Sequence, residues 1–193
     1  MSKTPTILVT PDPRLRQKSE RVEVESAETT EIVRRMTKLA MEWEKDHPFE
    51  MSAAMAAPQM GILKRIVIVR ENQEDKSKNG WVALLNPEVI RTEGKEKTDH
   101  EGCLSVPKLY GLVSRPDRVK IKAWLLDGDE VRIKADGPLA RILLHEIDHL
   151  DGRLFVDLIK DKKDAFFELD DKGELKPIKY EEIKKHEDTI FGK

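Results

Sequence analysis

The chain predicts an α+β fold: hairpins of antiparallel or mixed sheet packed around one central helix, with a second helix near the N-terminus. Three observations carry this. Apolar, β-branched runs occur in pairs joined by short polar turns. Two stretches instead repeat their apolar residues at helical spacing. The helices stand apart from the strands along the chain, rather than alternating with them as a βαβ repeat would require.

Each element follows in order. Pro11-Asp12-Pro13 favours a turn, because each proline fixes its own φ and biases the preceding residue away from the helical region. Ile32, Val33, Met36, Leu39, Ala40 and Trp43 recur at three- to four-residue spacing and predict a helix from about Ala27 to Lys45, ended by Asp46-His47-Pro48. Lys64 to Arg70 and Trp81 to Ile90 read as strands. The wholly polar stretch between them, Glu71 to Gly80, reads as a solvated hairpin loop ending in Asn79-Gly80. Val119 to Leu126 and Glu130 to Lys134 flank Asp127-Gly128 as another hairpin. Asp136-Gly137-Pro138 supplies a capping residue and a proline tolerated in the first turn of a helix with body Leu139 to Leu150. Gly152 stands where a left-handed C-cap is expected. Asp164 to Ile178 suggests a hairpin around Asp170 to Gly173, and Tyr180 to Asp188 a short charged helix.

Composition bounds the function. At 193 residues the chain is expected to form one domain, 1–193. Charged residues make up 37% of it, against the ~25% usual for soluble proteins, over an apolar share of 38%. Lys plus Arg (35) and Asp plus Glu (37) nearly cancel to −2, which gives no electrostatic argument for a nucleic-acid partner. No apolar run reaches the ~18 residues that a membrane span needs, so no membrane partner is expected. A single cysteine, Cys103, rules out an intrachain disulfide and suits a reducing compartment. The first thirty residues lack a secretory pattern, so a cytoplasmic location is expected, with a short organelle address left open.

The chemistry gathers on the second helix, where His145-Glu146-Ile147-Asp148-His149 forms an H-E-x-x-H. Residues i and i+4 lie one turn apart, so His145 and His149 share a face and can hold one metal ion. Glu146 is rotated by ~100° from His145, off the metal but within reach of water beside it. Patterns of five residues recur by chance, and an amphipathic helix with two incidental histidines is the competing view. A hydrolytic metal usually takes three protein ligands and keeps one position for water. Cys103, in Glu101-Gly102-Cys103-Leu104-Ser105, is a candidate third ligand; its alternative is the inert buried cysteine. Asp148 could also serve, though at i+3 from His145 it is better suited to orienting a ligand or pairing with a base. Ala53 to Gly61 (AAMAAPQMG) is a small-residue stretch that lets another backbone approach closely. Its one side-chain amide is Gln59, and a packed internal segment with Gln59 as a surface turn residue is the plainer view.

Taken together and in this order, AAPQMG, EGCLS and HEIDH resemble the three motifs of the peptide deformylase family. The likeness extends to Pro11 to Arg16, to the strand after Gly61 and to His149 to Phe155, about residues 7–160 in all; 161–193 is left as a variable C-terminal hairpin and short helix. The resemblance implies Cys103, His145 and His149 as ligands of one divalent ion. The family typically uses ferrous iron, with zinc, nickel or cobalt able to replace it; a thiolate with two imidazoles disfavours magnesium and calcium. It implies hydrolysis of the N-formyl group from formyl-methionyl nascent chains, with water at the metal as nucleophile and Glu146 as general base and then general acid. Gln59 and the Leu104 backbone N–H would meet the developing oxyanion. Glu101 and Arg115 match a pair expected to brace the cysteine segment. Peptides in this family lie extended against the first motif, which assigns Ala53 and Ala54 to substrate binding; Tyr110, at the place of a peptide-holding residue, and Ile142, as a wall of the methionine pocket near the metal helix, are assigned with them.

The chain departs from the family pattern in places. Ser52 and Ala54 replace common glycines, Tyr110 a peptide-holding arginine, and Leu144 a frequent glutamine. The ribosome near the exit tunnel is a further partner that the resemblance leaves open. Two other functions compete. An HExxH metallopeptidase would generally recruit its third ligand downstream. A non-catalytic relative, stabilised by its metal and binding peptide or ribosome, would have no use for Glu146.

Overall fold

The computed structural model describes residues 6–47, 52–71 and 80–192. The first helix, α1 (Ala27–Asp46), begins where Ser26 Oγ accepts from the Thr29 N–H at 3.0 Å. Ile32, Met36, Leu39 and Ala40, at i, i+4, i+7 and i+8, form its buried stripe. It stops at His47, whose ring stacks on Trp43 with centroids 4.0 Å apart. The expected stop residue Pro48 lies outside the described residues.

Three strands follow: β1 (Ala54–Ala56), β2 (Ile66–Arg70) and β3 (Trp81–Cys103). Side chains alternate across a strand, and these do so between two apolar partners. Ala54, Ala56, Val67, Val69 and Leu84 pack in one core cluster with the second helix, whereas Met55, Ile66, Ile68, Ala83 and Leu85 pack in the other with α1. Burial on both faces explains why Ile66 to Val69 reads as an unbroken apolar run. The hairpin joining β2 to β3 is present in its flanks, since Arg70 pairs with Trp81 and the Glu71 N–H donates to the Gly80 carbonyl at 3.0 Å. Most of the expected loop, residues 72–79, lies outside the described residues.

The largest difference from expectation is a long ribbon. β3 continues thirteen residues past Ile90, and its partner β4 spans Val106–Trp124 instead of starting near Val119. The two pair antiparallel through several register shifts as far as Cys103 opposite Val106, so Leu104 and Ser105 form the turn at the tip. The middle of β3, Glu88 to His100, is almost wholly exposed and carries no apolar alternation; backbone pairing with β4 and polar contacts such as Lys120–Glu93 and Ser114–Glu96 hold it as a strand, with no apolar burial. β5 (Glu130–Asp136) pairs with the far end of β4, as the Asp127-Gly128 turn predicts. β6 (Phe166–Leu169) pairs with β4 near the tip and with β7 (Leu175–Pro177). Among the described residues all strand ladders are antiparallel, which removes the mixed-sheet option there; the one parallel pairing among them is an isolated bridge, Glu20 to Lys64.

The second helix, α2 (Gly137–Leu150), starts after Asp136 with Pro138 in its first turn, but the Asp136 side chain makes no capping bond. Ala140, Leu143, Ile147 and Leu150 face the core. Gly152 is left-handed (φ +73°) one residue past the cap, and a Cβ there would lie 2.6 Å from the Arg16 carbonyl oxygen, so glycine is required twice over. The expected charged C-terminal helix is split at His186 into α3 (Tyr180–Lys185) and α4 (Glu187–Phe191). No described helix is long and apolar enough to cross a membrane.

Candidate active site

Three elements converge on one cleft of about 230 Å³: the turn following β1, the tip of the β3–β4 ribbon, and the cleft-facing side of α2. The N-terminal segment ties two of them together, since the Leu8 N–H donates to the Gln59 carbonyl (2.7 Å) and the Thr10 N–H to the Ser105 carbonyl (2.9 Å).

Cys103, His145 and His149 each offer one ligand atom, and the three atoms lie within 4.8 Å of one another. Cys103 Sγ and His149 Nε2 are 3.2 Å apart. His145 donates its Nδ1–H to Glu101 Oε2 at 2.9 Å, which fixes the tautomer and leaves Nε2 as the ligand atom. Burial pushes His149 well below its usual value, so its imidazole stays neutral with a lone pair to give. The thiol and two imidazoles therefore fit a borderline transition-metal ion.

Glu101 is the hub behind the ligands. Its Oε1 accepts from Arg115 Nε (2.6 Å) and Arg141 Nη1 (2.7 Å), and its Oε2 from Arg115 Nη2 (3.0 Å) as well as from His145. Burial alone would raise this carboxyl, but hydrogen bonds from His145 and Arg115 outweigh it and hold the group well below the carboxylate range. Arg115 Nη1 also reaches Asp148 Oδ2 at 2.8 Å, and Arg153 reaches the other oxygen of Asp148 at 2.5 Å. Glu101 and Arg115 thus bind the ribbon to α2. Asp148 pairs with arginines and is absent from the ligand cluster.

Glu146 is buried and lines the cleft, and its Oε2 has no hydrogen-bond partner among the described residues. Burial, reinforced by the Glu101 charge and opposed by His145, pushes its carboxyl up to about 7. Gln59 is only 2% exposed, which excludes the surface turn residue that composition left open. Its Oε1 accepts from the Ala56 N–H at 2.9 Å, so its NH2 is turned toward Ser105 Oγ (3.3 Å) and Cys103 Sγ (3.7 Å). Leu104, Ala53, Ala54, Tyr110 and Ile142 line the same cleft. Gly102 lies under the Tyr110 ring, where a Cβ would come within 2.4 Å of it. Sequence reasoning missed Arg141, on the turn of α2 before His145, and Trp43, which lines the cleft from α1. Arg141 had a legible signal, a cation one helical turn before a ligand histidine; Trp43 read only as part of an apolar stripe.

The family model for polypeptide deformylase matches residues 4–165. The chain belongs to the polypeptide deformylase family. The peptide deformylase of Thermomicrobium roseum is 42% identical over 160 residues, covering 81% of this chain and 86% of that protein. That of Halothermothrix orenii is 40% identical over 148 residues, covering 77% and 88%. Among solved structures, a peptide deformylase from Synechococcus elongatus in complex with actinonin superposes with a TM-score of 0.72 at 35% identity, covering 84% of each chain. A probable peptide deformylase from Synechococcus phage S-SSM7 gives 0.70 at 38%, covering 79% of this chain and 98% of the phage protein. Deformylases are metal-dependent hydrolases that remove the formyl group from nascent peptides, and membership makes this chain a hydrolase acting on a linear amide.

Proposed function

We propose that the chain deformylates formyl-methionyl peptides at this cleft as a single catalytic domain, with Cys103, His145 and His149 holding one divalent ion. The observation that carries the assignment is the buried, unpartnered Glu146 oxygen beside three converging ligand atoms. A structural metal site has no need of a carboxyl held near neutrality next to its ligands. Ferrous iron is the proposed resident ion, with zinc, nickel or cobalt able to replace it, on the softness of the thiolate donor. When bound, the ion supplies Lewis acidity, polarising the formyl carbonyl and making water a stronger acid near neutral pH.

The rest is the work of this chain's own groups. Glu146, buried with one oxygen unpartnered among the described residues, accepts the proton of the attacking water and returns it to the departing amine, giving formate and a free amino terminus. The Gln59 NH2, aimed by its bond to Ala56, and the Leu104 N–H at the ribbon tip donate to the oxygen on which charge develops. Ala54 offers a strand edge to an extended peptide, with Ala53 lining the cleft beside it, and Ile142 and Tyr110 offer walls to its first side chains. Nascent chains as substrate point to the cytoplasm and to the ribosome exit region as a partner.

The test uses protein reconstituted with ferrous iron under anaerobic conditions, or with nickel, and formyl-Met-Ala-Ser as substrate. Formate release is expected, with a loss of at least about 100-fold in Glu146→Ala. No release, or equal release from the variant, overturns the assignment.

A further inference from the structure

Among the described residues the strand β1 ends the sheet, so one of its edges has no strand partner there. Register decides which backbone groups face that edge. The Arg70 N–H donates to the Ala53 carbonyl at 2.9 Å, so residues 53 and 70 form a hydrogen-bonded pair, and Ala54 with Val69 is the next, non-hydrogen-bonded pair. The N–H and C=O of Ser52, Ala54 and Ala56 therefore point away from β2. At Ala56 the N–H is taken by Gln59 Oε1. At Ser52 both groups are taken: the N–H donates to Glu44 Oε1 at 2.9 Å, and the carbonyl accepts from Arg70 Nε at 3.4 Å. Between these two stops lies Ala54, whose carbonyl meets Ser52 Oγ at 3.4 Å.

Glu44 and Arg70 are themselves an ion pair, with Arg70 Nη2 at 2.7 Å from each carboxylate oxygen. The Arg70 side chain is fully buried, its guanidinium 4.7 Å from the centre of the Trp81 ring, and the Glu44 side chain is 17% exposed. Such a pair adds little net stability over apolar side chains of the same volume, because desolvation offsets its attraction. Its effect here is geometric. Glu44 lies near the end of α1 and Arg70 at the end of β2, and together they clamp the residue from which the chain enters β1.

We infer that the Glu44–Arg70 ion pair is a positioning device for the substrate main chain: by occupying Ser52 it closes the open edge of β1 on that side and holds Ala54 in place as the residue an extended peptide pairs with. This rests on the assignment of the cleft to peptide deformylation. Neither residue touches the reacting atoms, so both act through Ser52 and Ala54. Their loss weakens substrates that have main chain beyond the formyl-methionyl unit more than those that do not.

The experiment compares metal-loaded wild type, Arg70→Met, Glu44→Gln and the double variant Glu44→Met/Arg70→Met on formyl-Met-Ala-Ser and on formyl-methionine amide. Loss of main-chain hydrogen bonds is expected to raise KM for the tripeptide about tenfold in Arg70→Met, with kcat within about twofold and a severalfold smaller effect on the amide. The double variant, which keeps an apolar interior, shows the same dependence on substrate length; Glu44→Gln, which still accepts from Ser52, falls between. Hydrogen exchange at the Ser52 amide, which donates to Glu44, is faster in Arg70→Met. Equal losses on both substrates, or an unchanged tripeptide KM, overturn the inference while leaving deformylation intact. If wild type releases no formate, the site assignment fails, and exchange alone decides whether the pair holds Ser52: unchanged exchange refutes it.

Discussion

Replacing Glu101 with glutamine tests how the cleft is held together. The carboxylate accepts four hydrogen bonds, two at each oxygen, from Arg115, Arg141 and His145. Glutamine keeps one acceptor oxygen and turns an NH2 toward donors at the other position. Whichever way the amide is placed, two of the four bonds are lost and a buried Arg115 loses part of its counter-charge. Breaking a buried pair from one side costs ~3 to 5 kcal/mol, so urea denaturation should show a loss of that size at pH 7. The pH dependence has a definite sign. A carboxyl held below its ordinary value of 4.5 contributes its full stability above that pH and loses it as pH falls toward the folded value. Wild type should therefore lose stability below about pH 4.5 by a component that Glu101→Gln lacks. Because Glu101 also fixes the His145 tautomer, metal affinity should fall by ~10- to 100-fold in competition with a chelator. A stability loss under about 1 kcal/mol together with unchanged metal affinity would refute the assignment of Glu101 as the hub.

Three further outcomes are expected. Glu146→Gln removes a charge that burial penalises: the folded carboxyl rises from 4.5 to about 7, so the penalty is absent below 4.5, grows as pH climbs to about 7 and is constant above it. With metal removed by chelation, this variant should be more stable than wild type by up to about 3 kcal/mol at pH 8 and no more stable at pH 4, while its metal-loaded form is inactive. Gln59→Ala should lower kcat by ~100- to 1,000-fold with metal stoichiometry unchanged, as expected on removing one oxyanion donor; a change confined to KM would contradict that role. Gly102→Ala drives a methyl into the Tyr110 ring and should destabilise the fold by ~1 to 3 kcal/mol, largely recovered by adding Tyr110→Ala, which a double-mutant thermal melt would show.

The parts of the fold that bury a patterned face were legible. The stripe from Ile32 to Ala40 and the run from Ile66 to Val69 announce α1 and β2 because packing requires those periods. The ribbon was not legible. Between Arg91 and His100 both faces are largely exposed, so no alternation marks the strand, and its existence depends on pairing with residues some twenty positions away. At the site, HEIDH and EGCLS marked ligand types at helical and turn spacing, and the fold brings Cys103, His145 and His149 together. The Glu44–Arg70 pair stayed hidden for a physical reason. An arginine that completes a buried network reads in the sequence like one on a solvated surface, and only the tertiary fold tells them apart.

The central claim is that one metal ion, held by this ligand set, is required for the cleft to hydrolyse a formyl amide. Nickel added stepwise to chelator-treated protein, with formate release from formyl-Met-Ala-Ser measured at each step, tests it directly. Release should rise linearly and break at one equivalent per chain, and should be absent across the whole titration in His149→Ala. Release that is independent of added metal, or a His149→Ala variant that follows the wild-type curve, would contradict it.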